Sequence, residues 1–565
     1  MEKKTKTFVK GAAILGAAGL LVKILGAIYR IPLNNLIGTE GMSYYAVAYP
    51  YYSWLLVISS AGLPAAISKL VSERITKNDY KGAQNIFRVV FWLLVGIGAL
   101  TTMIMLIFAK PLARLSGLYG AYYSFVALAP SLLFVSIMCS YRGYLQGLQQ
   151  MTGTALSQVA EQLIKLIAGL VLAKIMLKRG PEFAAQGALL GVTISEIAGL
   201  IVIAAFYYIK KANGFGLMIN RNDEIFKPES NSSIIRQILV LAIPITLGAS
   251  IMPLTGIADS AFILNSLKYS SKAVHWAKQS GIVTEFDTTS YLVESWAKSA
   301  YSIFRSYVTT IINMPAVLTS ALAMSLVPAI SSYIASKKIK SAKKAATTAM
   351  KLSMLIGAPC AVGLFVLAEP ILLLLYSSSL DNAGKVAMAA SIMQISSIGV
   401  LFLSVVQALT GVIQGMGRPI IPVKNLLIGG ILKVISMLIL MQFFNIYGAA
   451  LSTVICYAVA AILDTAWLIR KMRLSINFFD VFAKPMIASI TMGIYAAFVY
   501  NVLGCSKIAT LLAIMVGVGV YAVLLILMRM LDEVDLEFIP GGNRIAPLFR
   551  IQMNNTHEES KRSAE

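Results

Sequence analysis

Apolar runs of roughly 20 residues recur along this chain from near its first residues to about residue 530. A helix of that length, rising ~1.5 Å per residue, crosses the ~30 Å hydrocarbon core of a bilayer. In hydrocarbon every backbone N–H and C=O must find a partner inside the protein, so only helices and closed barrels span it. Stretches such as 355–368 and 511–527 are apolar on every side, whereas a barrel strand alternates over ~10 residues. The expected fold class is therefore all-α integral membrane. About 14 transmembrane helices are predicted, over 8–36, 43–68, 86–109, 121–141, 154–177, 184–209, 236–264, 299–331, 345–376, 385–414, 420–442, 446–469, 482–503 and 507–530. Only 13% of the 565 residues are charged and 58% are hydrophobic, too little charge to clothe a water-facing surface.

The formal charge is +23, but the basic residues sit in short runs between apolar spans and form no separate domain, which excludes nucleic acid as the partner. Lys3, Lys4 and Lys6 precede the first span, Arg74, Lys77 and Lys81 follow the second, and Lys337, Lys338, Lys340, Lys343 and Lys344 follow the eighth. With Lys210–Lys211 and Arg470–Lys471, the positive-inside rule puts these segments and both termini on the cytoplasmic side. The expected site of the chain is a cytoplasmic membrane. The first apolar stretch runs through Lys23 and Arg30 to Leu36 without a small-residue cleavage pattern, so it reads as a span and not as a cleavable signal.

Cys139, Cys360, Cys456 and Cys505 lie in or beside apolar spans and read as packing residues. The two histidines, His275 and His557, are too few for a metal site or a triad. With no Walker loop either, no catalytic residue, metal or cofactor is expected. Sodium, protons or the membrane potential, or the substrate gradient itself, would drive the cycle.

An internal repeat organises the spans. Leu145-Gln146-Gly147 precedes a span bearing Lys165, and Ile413-Gln414-Gly415 precedes one bearing Lys433 at the same separation. Leu63-Pro64-Ala65 answers to Val327-Pro328-Ala329, Ala109-Lys110-Pro111-Leu112 to Ala368-Glu369-Pro370-Ile371, and Gly187-Ala188 to Gly448-Ala449. The repeating unit is six helices, an even number, so the copies are related by a pseudo-two-fold along the membrane normal. The expected organisation is an N-terminal six-helix lobe over 1–211, a cytoplasmic linker over 212–235, a C-terminal six-helix lobe over 236–473, two additional helices over 474–531 and a polar tail over 532–565. Two such lobes face each other in transporters.

An ionisable group within a span is costly, so each is a candidate for function. Lys23 and Arg30 in span 1 are seven residues apart and at ~100° per residue project from nearly one face. That stripe suits an anionic headgroup, with Arg30 binding phosphate oxygens through two prongs and Lys23 as a point charge; the alternative is that both snorkel to an interface. Span 5 carries Gln158, Glu161, Gln162 and Lys165 at helical spacing, with Glu161 and Lys165 as an i,i+4 pair. The stripe either meets a polar headgroup or neutralises itself. Lys433 has Gly429 and Gly430 where a carboxylate would compensate it, which makes it a candidate for the substrate anion. Arg305 in span 8 reads as a cavity cation or an interfacial anchor. Asp259 in span 7 and Glu196 in span 6 respond to protons or sodium, or pair with the cations, and Asp464 in span 12 is ambiguous in the same way. Tyr44, Tyr45, Tyr51, Tyr52 and Trp54 fit packing or an aromatic belt better than a sugar platform.

Arg142-Gly143-Tyr144-Leu145-Gln146-Gly147, followed by Ser157-Gln158-Val159-Ala160-Glu161-Gln162, resembles the RGYxQG…SQVxEQ segment of the stage V sporulation protein B and MurJ-type lipid II flippase family, in the polysaccharide-transporter branch of the MOP superfamily. Lys23-Ile24-Leu25-Gly26 with Arg30, Gly62–Leu70 and Leu326–Ser331 are similar to further segments of that group, over spans 1–12. The resemblance implies a two-lobed flippase of alternating access, not an enzyme. It implies a lipid-linked anionic oligosaccharide as substrate, an undecaprenyl-pyrophosphate-linked peptidoglycan precursor, with Lys23, Arg30 and Arg305 on the pyrophosphate and the last two spans along the lipid tail. Membrane lipid is then the surrounding partner, and the working form is a monomer associating with cell-wall synthesis machinery in growth, cell shape or sporulation. The group often has arginine where this chain has Lys23, and another cation near Asn34 and Asn35. The rivals are a cation-coupled multidrug exporter of the same superfamily, a membrane glycosyltransferase or polymerase using Glu285, Asp287 and Glu294, and a scaffold without transport activity.

Overall fold

A computed structural model describes residues 2–212, 229–282, 289–474, 476–532, 535–536 and 546–549; the expected linker 212–235, the acidic residues Glu285 and Asp287, and most of the tail lie wholly or partly outside them. Among the described residues there is no strand. The helices are α1 (Glu2–Ser60), α2 (Leu63–Thr76), α3 (Tyr80–Leu115), α4 (Tyr122–Gly147), α5 (Met151–Met176), α6 (Pro181–Ala212), α7 (Asn231–Tyr269), α8 (Ala273–Gln279), α9 (Thr289–Ser302), α10 (Thr309–Ile312), α11 (Met314–Ala335), α12 (Ile339–Val366), α13 (Ala368–Tyr376), α14 (Ala383–Gly415), α15 (Ile420–Met472), α16 (Lys484–Val502) and α17 (Lys507–Leu527).

Eleven helical stretches among the described residues are long and apolar enough to cross a bilayer. Two of them hold a break that divides each into two spans: Gly38 (φ 67°, ψ −177°) in α1 and Asn445 (φ 44°) in α15. Glycine takes that backbone without steric cost, and asparagine is among the few other residues that tolerate a left-handed conformation. With α5, a further helix of 26 residues, the spans among the described residues number fourteen. Both breaks fall in the short gaps between predicted spans. Span 8, by contrast, is not one helix. It runs as α9, a π-helical turn over Ile303–Val308, α10 and α11, with Pro315 in the first turn of α11, where proline's missing N–H is unneeded but a helix cannot continue through it from before.

The chain divides into two compact units, residues 1–310 with 376–385, and 311–375 with 386–565. In unit 1 the core gathers Ile67, Leu70, Val71, Ile86, Val90 and Leu94 with Met138 and Leu145. In unit 2 the corresponding cluster holds Leu326, Ile330, Met350, Leu409, Val412 and Ile413. One contact recurs in both. A Cβ on Gly147 would lie 2.7 Å from Val71 Cβ and 2.9 Å from Ser68 O, and a Cβ on Gly415 would lie 2.8 Å from Val327 O and 2.9 Å from Ile330 Cβ. The repeated Gln-Gly thus marks the place where one helix lies directly on another, the close approach that small residues allow in membranes.

Candidate functional site

Arg30 and Tyr45 are 15 residues apart on α1, a separation of ~22 Å along a straight helix. The Gly38 break removes it. The Arg30 guanidinium lies 4.7 Å from the centroid of the Tyr45 ring and 5.2 Å from that of Tyr49, and the two rings stack with centroids 5.5 Å apart. The neighbouring Tyr29 is buried, and its ring lies 5.8 Å from Lys165 Nζ on α5. Two cations therefore rest on one group of tyrosines, where ring quadrupoles stabilise them by about 0.5–2 kcal/mol each. Among the described residues no carboxylate forms an ion pair with Arg30 or Lys165. Aromatic faces hold a cation without neutralising it, so both charges stay available to an anion.

Glu161 does not make the predicted pair with Lys165. Arg142 of α4 takes it: Nη2 donates to Glu161 Oε2 at 3.0 Å and to Ser157 Oγ at 2.8 Å, and Nε donates to the same hydroxyl at 3.1 Å. A planar fork lying along α5 satisfies two groups at once, and this arrangement prevails over an i,i+4 contact contributing a few tenths of a kcal/mol. Glu196 is buried beside Glu161, Arg142 and Lys165, and its Oε2 has no hydrogen-bond partner among the described residues. The same is true of Gln158 Oε1.

Arg305 lies in the π-helical turn and pairs with the fully buried Asp259 of α7, Nη1 to Oδ2 at 3.3 Å. Gly256, one turn earlier on α7, leaves room for it: a Cβ there would stand 3.2 Å from Arg305 Nη2. The turn is bound to α1 through Asn34, which donates from Nδ2 to Ser306 O at 3.1 Å and accepts at its backbone O from Tyr307 OH at 3.1 Å. Asn34 thus occupies a structural position, and Ser379 Oγ donates to Asn35 Oδ1 at 3.2 Å. Lys23 is exposed on α1. Lys433 is buried in unit 2, as is Asp464, which accepts from Asn425 Nδ2 at 2.7 Å.

The tyrosines of α1 divide by role. Tyr45 seats Arg30, Tyr51 bonds Ser116 at 3.1 Å, and Tyr44 accepts from Lys298 Nζ at 3.1 Å. Lys298 also bonds Glu40 at 3.2 Å and Glu294 at 3.1 Å, and Lys268 reaches Glu294 at 3.5 Å. Burial pushes the Glu294 carboxyl up, but Lys298 and Lys268 outweigh it and hold the group below its ordinary value. For Lys268 burial prevails and lowers it, whereas at Lys298 Tyr44 and the carboxylates outweigh burial and raise it. Glu294 is engaged by two cations, which is a poor state for an acid–base catalyst. No group of His, Cys, Asp and Glu among the described residues could hold a metal ion.

Sequence reasoning missed Arg142 as a partner and Tyr49 as a seat. The only signal for the first was a basic residue facing a polar stripe from the preceding helix. For the second it was an aromatic one turn after Tyr45.

The fold and the site define a helical membrane protein of many spans with cations retained inside one unit. The chain belongs to the polysaccharide biosynthesis protein family, whose model matches residues 8–334. A second family model, lipid II flippase MurJ, matches residues 282–477. Stage V sporulation protein B of Bacillus subtilis (strain 168) is 27% identical over 546 residues, 96% of this chain and 99% of that protein. The solved structure of lipid II flippase MurJ in an inward closed conformation superposes with a TM-score of 0.65 at 16% identity, covering 92% of this chain and 99% of that one. An inward-facing multidrug resistance MATE transporter of the MOP superfamily gives 0.60 at 16% identity, covering 80% and 94%. At such identities these structures share the fold.

Proposed function

We propose that the chain is a flippase that carries a lipid-linked anionic oligosaccharide, an undecaprenyl-pyrophosphate-linked peptidoglycan precursor of the lipid II type, across the bacterial cytoplasmic membrane by alternating access of two six-helix lobes, with both termini cytoplasmic. The observation that carries this reading is the pair Arg30 and Lys165, seated on Tyr29, Tyr45 and Tyr49 with no carboxylate pairing among the described residues. A pyrophosphate offers oxygens to the planar fork of Arg30 and to the point charge of Lys165. The names of the relatives support the substrate class, and an apolar cavity of 340 Å³ lined by Val362, Phe365, Val366, Ile490, Gly493, Ile494 and Ala497 in unit 2 fits an isoprenoid tail. An organic cation, the cargo of a multidrug exporter, would meet two positive charges at the same seat.

The test is leaflet-resolved measurement of the lipid-linked precursor in cells depleted of the protein and complemented with wild type, Arg30→Gln or Lys165→Gln. Wild type restores the precursor to the outer leaflet and both variants leave it inside. Normal precursor distribution in both variants, with loss of drug efflux, would overturn the assignment. Sodium, proton or membrane-potential coupling is read from the same assay after collapsing each gradient in turn.

A further inference from the structure

Glu161 precedes Lys165 by one turn of α5, with the carboxylate on the N-terminal side, the favourable order for an i,i+4 pair. In that pairing Lys165 would offer no net charge. The arrangement found differs: the Arg142 fork spans Ser157 and Glu161, which are themselves one turn apart, and fixes the carboxylate on the α4 side. The second Glu161 oxygen accepts from Gln162 Nε2 at 3.4 Å. α6 packs against the same stretch of α5, where a Cβ on Gly199 would stand in ordinary contact, 3.5 Å from Glu161 Cβ and from Ser157 O. Lys165 is left on the Tyr29 ring, in the field of Arg30.

We propose that Arg142 is a positioning residue that sequesters Glu161, so that Lys165 keeps its positive charge for the substrate's pyrophosphate. The inference rests on the flippase reading and deepens it. Arg142 acts through Glu161 and Lys165 without touching the anion. Lysine is not equivalent, because its ammonium is a compact point and lacks the planar fork that spans Ser157 and Glu161 together.

The test uses the purified full-length protein in proteoliposomes. The probe is a short-chain polyprenyl pyrophosphate with a nitrobenzoxadiazole label; its affinity is read from fluorescence and its transfer from dithionite quenching. Lys165→Gln should weaken binding by about tenfold, the loss of one charged hydrogen bond. Arg142→Gln should weaken it by a similar factor, because Glu161 is released to Lys165. Glu161→Gln alone should bind within about twofold of wild type, and Arg142→Gln/Glu161→Gln should recover most of the loss, a coupling expected only of residues acting on one another. Ser157→Ala, which loosens the fork while leaving both charges, should give a smaller loss that Glu161→Gln also cancels; it keeps the test open if Arg142→Gln does not fold. A double variant as weak as Arg142→Gln, with Ser157→Ala equally insensitive to Glu161→Gln, overturns the proposal. If Lys165→Gln binds as wild type does, the anion seat itself fails, which is a different result from a weakened Lys165→Gln without rescue.

Discussion

Arg30→Lys separates charge from geometry. The substitution keeps one positive charge on α1 and removes the flat surface that lies 4.7 Å from Tyr45 and 5.2 Å from Tyr49. A ring contact of this kind contributes about 0.5–2 kcal/mol, the larger figure applying when the cation is shielded from water. Loss of the second prong on a phosphate removes roughly another 1 kcal/mol, the net contribution of a hydrogen bond. The stack orients the guanidinium before ligand arrives, so part of its energy is already present in the unliganded protein, and the expected net loss is about 1–2 kcal/mol, roughly five- to thirtyfold in affinity. Titration calorimetry of the detergent-solubilised protein with inorganic pyrophosphate measures it. Arg30→Gln, which removes the charge as well, should bind still more weakly. Tyr49→Phe, which keeps the ring, should match wild type, and Tyr49→Leu should fall between wild type and Arg30→Lys. If Arg30→Lys binds pyrophosphate as wild type does while its melting temperature drops, the stack is structural and the anion seat lies elsewhere.

Gly415→Ala places a Cβ 2.8 Å from Val327 O and 2.9 Å from Ile330 Cβ; overpacking of about 1–3 kcal/mol should lower the melting temperature of the purified protein, and Gly147→Ala should do the same in unit 1. The Glu294 carboxyl is held below its ordinary value, so its contribution to stability is complete above about pH 4.3, the unfolded value, and is lost as pH falls through the lower folded one. Melting curves followed by Trp276 and Trp296, whose rings are 6.3 Å apart, should therefore be flat from pH 7 to about 5 and fall below that, less steeply in Glu294→Gln. Lys298, raised, should tolerate neutralisation less well than Lys268, lowered; equal effects of Lys298→Gln and Lys268→Gln would contradict this ordering. Lys351 is tied to Asp535 at 2.7 Å and Asp532 at 3.0 Å. Asp535 is buried and Asp532 is largely exposed, so Asp535→Asn should speed amide exchange over residues 529–532 and 535–536 far more than Asp532→Asn, in line with about 3–5 kcal/mol for breaking a buried pair against 0–1 for an exposed one.

The spans were legible in the sequence because hydrocarbon imposes one requirement on every segment that crosses it, and a run of apolar residues meets it irrespective of neighbours. The breaks at Gly38 and Asn445 were nearly so, falling where the apolar runs are interrupted. Partners were less accessible. Glu161 has a cation at i+4 and another, Arg142, 19 residues earlier on a different helix; spacing along one helix favours the first, and only the crossing of α4 with α5 brings up the second. The π-helical turn that carries Arg305 leaves no mark in the pattern of apolar residues, since a single widened turn shifts the helical phase without changing composition. Tyr45 reads as a packing or interface ring until the Gly38 break brings Arg30 onto its face.

Charge accounting in unit 1 then distinguishes the cations. Arg142 is neutralised by Glu161, Arg305 by Asp259, and Lys298 by Glu40 and Glu294. Apart from Lys298–Glu294, an i,i+4 pair within α9, these pairs join different helices, and all can be explained by packing alone, because a buried charge left without its counterion destabilises strongly. Arg30 and Lys165 instead rest on rings that stabilise a cation and leave its charge intact. A cation inside a membrane domain is costly to retain without a counterion unless something else supplies the opposite charge. On the proposed flippase reading, a substrate anion that arrives and leaves would do so for part of the cycle, and aromatic faces would make the interval between visits tolerable.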